Sequence, residues 1–432
     1  MKGLRQVALG AWLLLACGGV GGANTAEAPW TLEHCIQTAQ QQHGSALAAG
    51  EEARAAEAEL RKAGSSLFYP VVSAYSTHLR GGIEADQAGS VPRNTGTITD
   101  EQYLMTAEVT LYDGGVQKRN VRMARAVRDA TLANLRRETQ ALELRVIESY
   151  VQVLRARHAI RVAQQKLESA QAQKEMVLAR RDAGTAAGVD VYPIEVQIAN
   201  ARVEKLGAEA ELRASGSALR NAMGLEEGPV PEVAELPETP AEPASLDACI
   251  DLARASRPEV IAAQADLERE RAVVALARLK SRPQLETAAR VDRGLGGSTI
   301  HSQWLVYATL TWSLFDRSQR EESAAGEARI AALEARYRQL LKDIASEVTQ
   351  AYIALQGARA RAEASEVSVA MARKSLEVAE ARYQLGLAIP IELVDAQIAR
   401  STAELQAIQL RYDAFLAHAR LRHAMGQESL IP

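Results

Sequence analysis

Aromatic side chains make up only 4% of this 432-residue chain, which excludes a core built on ring packing. Abundant alanine, glutamate, arginine and leucine instead suit long helices packed through small side chains. Long apolar runs are scarce as well. The run Val7 to Ala16 is too short to cross a bilayer, and a mean hydropathy near zero argues against a polytopic helical membrane protein. The net charge of −4 gives no basic footprint for nucleic acid. Neither a Gly-x-x-x-x-Gly-Lys phosphate loop nor a Gly-x-Ser-x-Gly elbow occurs. The histidines (34, 43, 78, 158, 301, 418, 423) show no metal-ligand spacing except His418 and His423, which share a helical face poorly. They read as satisfied surface residues. With no nucleophile, metal or cofactor site in view, an enzyme is not expected.

Cysteine is nearly absent too, and one of the three carries information. Lys2 and Arg5 precede the apolar run, which reads as an export signal. It ends Leu14-Leu15-Ala16-Cys17-Gly18, which resembles a bacterial lipobox, so lipidation of Cys17 is expected. The alternative is cleavage after Ala23, with Cys17 discarded. Cys35 and Cys249 occupy matching places in two internal repeats, where a small apolar helix residue serves, and are expected to be buried and free.

Proline and glycine are missing from Val116 to Arg181. Small or apolar residues recur there at three-four spacing, among them Leu142, Val146, Val153, Ala156, Ala163 and Ala170. This heptad seam predicts a rod of roughly 100 Å. A second seam, Leu144, Ile147, Val151 and Leu154, overlaps it, so the rod has neighbours on two sides. The same pattern returns in the second half, at Ile344, Val348, Leu355, Ala358, Val369, Leu376 and Tyr383.

The chain is a tandem duplication. The text TLEHCIQTA at Thr31 recurs as SLDACIDLA at Ser245, Leu111-Tyr112-Asp113 as Leu314-Phe315-Asp316, and Ala222-Met223-Gly224 as Ala424-Met425-Gly426. One repeat spans 30–224, with strands near 67–80 and 102–112, a long helix 115–182 and a return helix 189–224. The other spans 244–426, with strands near 284–294 and 302–314, a long helix 317–385 and a return helix 390–425. A loop within Gly81 to Asp100 is about ten residues longer in the first copy. Between the repeats, residues 225–243 carry five prolines and six acids, a linker without its own core that lies extended against the rods.

The strands alternate, with Trp304, Val306, Ala308, Leu310 and Trp312 on one side and Gln303, Tyr307, Thr309 and Thr311 on the other. Segments 67–112 and 284–315 hold nine of the eighteen aromatics, as strands spanning an outer membrane would. Four strands cannot close a barrel whose smallest known form has eight, so a membrane reading requires several copies. The competing architecture is a periplasmic coiled-coil scaffold carrying a small soluble sheet.

Together, the repeated helices, the proline-led strands, the LYDGG (111–115) and LFDRS (314–318) turns and the tip RYQLGLAIPIELVDAQ (382–397) resemble the TolC-like outer membrane factor family. The resemblance covers essentially the whole mature chain. It implies a mixed α/β, mostly α, membrane protein: a homotrimer whose twelve-stranded barrel continues into a twelve-helix barrel through the periplasm. It also implies a passive exit duct without cofactors, docked to a periplasmic adaptor and an inner-membrane pump of RND or ABC type. Ile389 and Pro390, and Arg317-Ser318, depart from the family pattern. The expected gate and docking residues are Arg180, Arg181, Gly184 and Asp190 at the first tip, and Arg382, Tyr383, Gly386, Glu392 and Asp395 at the second, forming inter-helix salt bridges and hydrogen bonds that hold the duct's narrow end closed.

Overall fold

A computed structural model describes residues 29–65, 69–84, 95–183, 188–226, 228–236, 245–280, 283–296, 299–312, 317–385 and 387–430. Cys17, Gly184 and Gly386 lie outside them. One sequence of elements appears twice. The first copy is α1 (Leu32–Gln42), α2 (Gly44–Gly64), β1 (Val71–Glu84), β2 (Thr95–Asp113), α3 (Val116–Asp182) and α4 (Val191–Ala222). The second is α5 (Leu246–Ser256), α6 (Pro258–Lys280), β3 (Gln284–Gly296), β4 (Thr299–Thr311), α7 (Arg317–Gln384) and α8 (Pro390–Ala424).

Local chemistry explains the boundaries. The Thr31 hydroxyl caps α1 by accepting from the His34 amide at 3.2 Å. At the β2–α3 junction the Asp113 carboxylate accepts from the Gly115 amide at 2.9 Å and the Gln117 amide at 2.5 Å, satisfying helix-start donors that lack intrahelical partners. Pro390 opens α8, where its missing N–H costs nothing.

The four strands form one antiparallel sheet in the order β1-β2-β3-β4. The β1–β2 hairpin reaches further than the expected ends at 80 and 102, because Gly81↔Ile98 and Glu84↔Thr95 continue the ladder. Much of the anticipated 81–100 loop is therefore strand, its backbone groups satisfied by pairing. At the other ends β1 starts at Val71 and β4 stops at Thr311. Register places Trp304, Val291, Ala107 and Val72 side by side on one face. Val306, Leu310, Leu285 and Met105 share that face and are exposed. The opposite face holds a polar network. Tyr307 donates to Glu108 at 2.6 Å, while Asp292, 4% exposed, accepts from Arg290 at 2.7 Å and Gln303 at 3.0 Å. Leu305, Val71 and Tyr75 are apolar exceptions on it.

The long helices lie side by side in the order α4, α3, α8, α7. Both seams of α3 are buried: Leu142, Val146 and Val153 on one, Ile147, Val151 and Leu154 on the other. The largest apolar cluster, at mid-length, joins α1, α3, α4 and α8 through Tyr150, Leu219, Tyr412, Phe415 and Leu416. Cys35 and Cys249 are both buried, and burial pushes the Cys35 thiol up to about 12, leaving it unreactive.

The inter-repeat linker has more structure than its composition suggests. Its residues 228–236 form a strap across the helices. Val230 fills the notch left by Gly216 of α4, Arg157 of α3 donates to the Val233 carbonyl at 2.5 Å, and Tyr150 donates to the Ala234 carbonyl at 2.6 Å. Trp30 bridges to the strap beside Val233. Glu235 then joins two helices, taking hydrogen bonds from His158 of α3 at 3.1 Å and Tyr412 of α8 at 3.0 Å.

Candidate functional site

At the end of the rods remote from the sheet, each hairpin is sealed by its own apolar cluster. Val177 of α3 packs with Val191, Ile194 and Ile198 of α4; Leu376 and Tyr383 of α7 pack with Leu393 of α8. Tyr383, one of the expected gate residues, is 5% exposed and its ring packs in this apolar cluster, because the seam carries it inward.

The remaining tip residues fall into three groups. Arg382 spans the α7–α8 turn, 3.5 Å from Glu392, and donates to the Leu387 carbonyl at 3.4 Å. Arg181 pairs with its sequence neighbour Asp182 at 2.8 Å, both side chains being exposed at the end of α3. Asp395 is exposed and pairs with no basic side chain among the described residues. The backbones of Arg180 and Asp190 lie in α3 and in a short 3-10 turn, Gly188–Asp190, and their side chains are outside the described set. Among the described residues, Arg382–Glu392 is the ion pair between helices formed by the expected tip residues, and Lys174–Glu195 joins α3 to α4 at 2.8 Å a few turns above the first tip.

Further along the rods the structure assembles residues that the sequence did not single out. A cavity of about 410 Å³ lies where the two hairpins meet, lined by Gln165, Asn200, Glu204, Glu380, Gln397 and Ser401 among others. Ion pairs guard its rim: Lys166–Glu204 at 2.9 Å, and Glu404 with Arg400 at 3.0 Å and Arg373 at 3.1 Å. The Gln397 carbonyl oxygen accepts from the Ser169 hydroxyl at 3.1 Å and from the Gln173 amide, tying α8 to α3. Gln397 is visible in the tip motif, but its partners lie 228 and 224 residues away, beyond any local pattern.

The histidines are also not where polarity alone puts them. His158 and His418 are buried, at 7% and 8% exposure, and His423 is half-buried. Burial lowers all three; Glu235 opposes the effect at His158, while at His418 Arg422 and Arg359 reinforce it, to about 4. A helix seam counts apolar residues, so a neutral imidazole inside it goes unnoticed. The unfolded chain binds a proton at His418 near pH 6.5 and the folded chain does not. Stability therefore falls as pH drops from 6.5 towards 4, by about 3 kcal/mol for this residue alone. Melting temperature should decline between pH 7 and 5, and His418→Gln should flatten part of that decline. An unchanged slope in the variant would remove His418 from this account.

Among the described residues, no group of three His, Cys, Asp or Glu side chains is placed to hold a metal, and no helix is long and apolar enough to cross a membrane.

Comparison with known proteins follows the duplication. The profile of the "Outer membrane efflux protein" family matches residues 35–225 and 249–427, one match per repeat. The pyoverdine export outer membrane protein OpmQ of Pseudomonas putida is 27% identical over 415 residues, covering 91% of this chain and 85% of its own. Among solved structures, the outer-membrane channel OprN superposes with a TM-score of 0.74 at 21% identity, covering 93% of this chain and 91% of its own. The CmeC outer membrane channel of Campylobacter jejuni gives 0.76 at 13% identity, covering 91% and 85%.

Proposed function

The chain belongs to the outer membrane efflux protein family, and we propose that three copies close into one continuous passive duct, opened at its periplasmic end by an adaptor. It is the outer-membrane channel component of a tripartite export system; the ring, the partners and the gate are the proposal.

The observation that carries closure is that both layers of the chain end in open edges on the same two sides. In the sheet, β1 and β4 each have one edge unpaired among the described residues, which hydrocarbon does not tolerate. In the helical layer, the flanks are α4 and α7. The outer face of α4 exposes Tyr192, Val196, Val203 (69%) and Leu206 (65%), and that of α7 exposes Ile353 (61%), Val367, Met371 and Val378. Ile353 stands in α7 where Val151, fully buried, stands in α3. The duplicated helix therefore has a seam whose neighbour is supplied from outside the chain. Setting α7 of one copy on α4 of the next, and β4 beside the next β1, is a heterologous contact that closes as a ring. Three copies, the number the family resemblance implies, give twelve strands and twelve helices.

Dimensions agree. Strands of thirteen residues are about 43 Å long, enough for the hydrocarbon layer after barrel tilt, with the Trp304 face towards lipid and the Asp292–Tyr307 face towards the lumen. At 67 residues, α3 adds about 100 Å. The adaptor and an inner-membrane pump of RND or ABC type would supply docking and energy. The Pseudomonas putida relative is named for pyoverdine export, which supports small-molecule cargo here.

Membrane fractionation and mass measurement test this reading. Expected is extraction from outer membranes by detergent at three times the chain mass; a soluble periplasmic monomer would favour the coiled-coil scaffold. For the gate, Arg382→Ala removes an exposed pair of about 0–1 kcal/mol per chain. Over three chains this raises single-channel conductance or open time several-fold; no change would exclude the pair as a restraint.

A further inference from the structure

We propose that Arg80 and Arg293 form a basic belt around the outer rim of the β-barrel and bind the phosphates of outer-leaflet lipid headgroups. The proposal rests on the duct reading and adds to it a partner chemistry for the lipid-facing side of the sheet.

The sheet register fixes which residues share that side. Side chains alternate along a strand, so Arg293 of β3, two residues beyond Val291, lies on the Trp304 face, as does Arg80 of β1, eight beyond Val72. Both are exposed. Between the helical end of the sheet and Arg293, this face of β3 carries only Leu285, Thr287, Ala289 and Val291. On β1 it carries no acid, lysine or arginine before Arg80. Arg80 stands nine residues above the first residue of β1, Val71, and Arg293 nine above the first residue of β3, Gln284. A line through the two arginines therefore runs parallel to the end of the sheet beside the helices. Nine residues of tilted strand climb about 23 Å, close to the height of the apolar band on an outer-membrane barrel. The arginines begin where the hydrocarbon ends.

Charge narrows the occupant. On the opposite face Arg290 is held by Asp292 at 2.7 Å, whereas neither Arg80 nor Arg293 has an ion-pair partner among the described residues. An arginine on a lipid-facing strand extends its guanidinium to the headgroup layer, where its planar fork fits two oxygens of a phosphate. Between the two arginines, the Tyr103 ring of β2 meets the His78 ring edge-on at 5.7 Å, and His78 is hydrogen-bonded to Ser76 at 3.0 Å. Arg293, Tyr103, His78 and Arg80 thus run diagonally across β3, β2 and β1, with an amphipathic ring at headgroup level. Glu101, opposite His78 in the ladder, sets one acid against two arginines, so the rim keeps a positive balance that suits an anionic lipid.

Native mass spectrometry of the purified full-length protein, titrated with lipid A bearing two phosphates and with its dephosphorylated form, reads the preference. The unaltered protein should hold the phosphorylated lipid roughly tenfold more tightly, as loss of a charge-assisted contact implies. Arg80→Gln and Arg293→Gln should each remove most of that preference at unchanged oligomer mass. Arg293→Lys, which keeps the charge but not the fork, should fall in between. Equal retention of the two lipids by the unaltered protein would overturn the belt and leave the duct standing, and this comparison holds even where a variant fails to assemble. A preference unchanged in both glutamine variants would overturn it as well. A chain that stays soluble without detergent and takes up neither lipid would overturn the duct and the belt with it.

Discussion

Replacing Val203 and Leu206 of α4 together by aspartate is expected to yield a folded chain that no longer forms a ring. Both side chains are about two-thirds exposed in the single chain, so no core contact of the monomer is lost and helix content should persist. In the ring each would be covered by α7 of the next copy. Losing that burial costs about 1.5–3 kcal/mol per side chain, and placing carboxylates in the seam adds several more. Three such interfaces fail at once, so assembly should drop by orders of magnitude, read as a shift from trimer to monomer mass in detergent. Aspartate at Ile353 on α7 should do the same from the other side. An intact trimer in either variant would mean that these seams face something other than a neighbouring copy.

Gly426→Ala is expected to cost about 2–5 kcal/mol per chain. Its φ of +69° is left-handed, and an added Cβ would sit 2.8 Å from the Arg257 Cα and 3.0 Å from its N. Backbone cannot yield as a side-chain tip can, so a left-handed penalty adds to overpacking. The contact ties the end of α8 to the α5–α6 junction, where Arg257 also pairs with Glu347 at 2.6 Å. Gly224 repeats the arrangement against His43, with a φ of +73° and 2.7 Å to the His43 Cα. Gly224→Ala should therefore behave alike. As a contrast, Gly50 inside α2 has nothing within 4 Å of an added Cβ. Gly50→Ala should stabilise by about 0.5–1 kcal/mol through helix propensity. Thermal unfolding distinguishes the three; equal small effects at all of them would refute the close-approach account.

These two expectations show what the sequence disclosed and what it did not. The duplication was legible because Ala222-Met223-Gly224 and Ala424-Met425-Gly426 repeat in order, and the glycine contacts show a physical reason for that repetition. Both seams of α3 were legible because they are dense in Leu, Ile and Val. The outer seam of α7 was not: Ile353, Val367, Met371 and Val378 are spread among alanine, arginine and glutamate, so it emerged only as exposure in the structure. The strap was foreseen as extended chain against the rods. Its clasp was not, since Glu235 finds His158 and Tyr412 at separations of 77 and 177 residues. At the tips, charge suggested a salt-bridge gate, whereas three-four spacing had already placed Tyr383 on the buried seam.

Planar-bilayer recording of the purified, detergent-extracted protein tests the central claim most directly. A closed trimeric duct predicts stepwise single-channel currents, small and brief in the unaltered protein and larger or longer-lived in Arg382→Ala. Absence of current from the unaltered protein and from Arg382→Ala, in preparations of trimer mass, would contradict it.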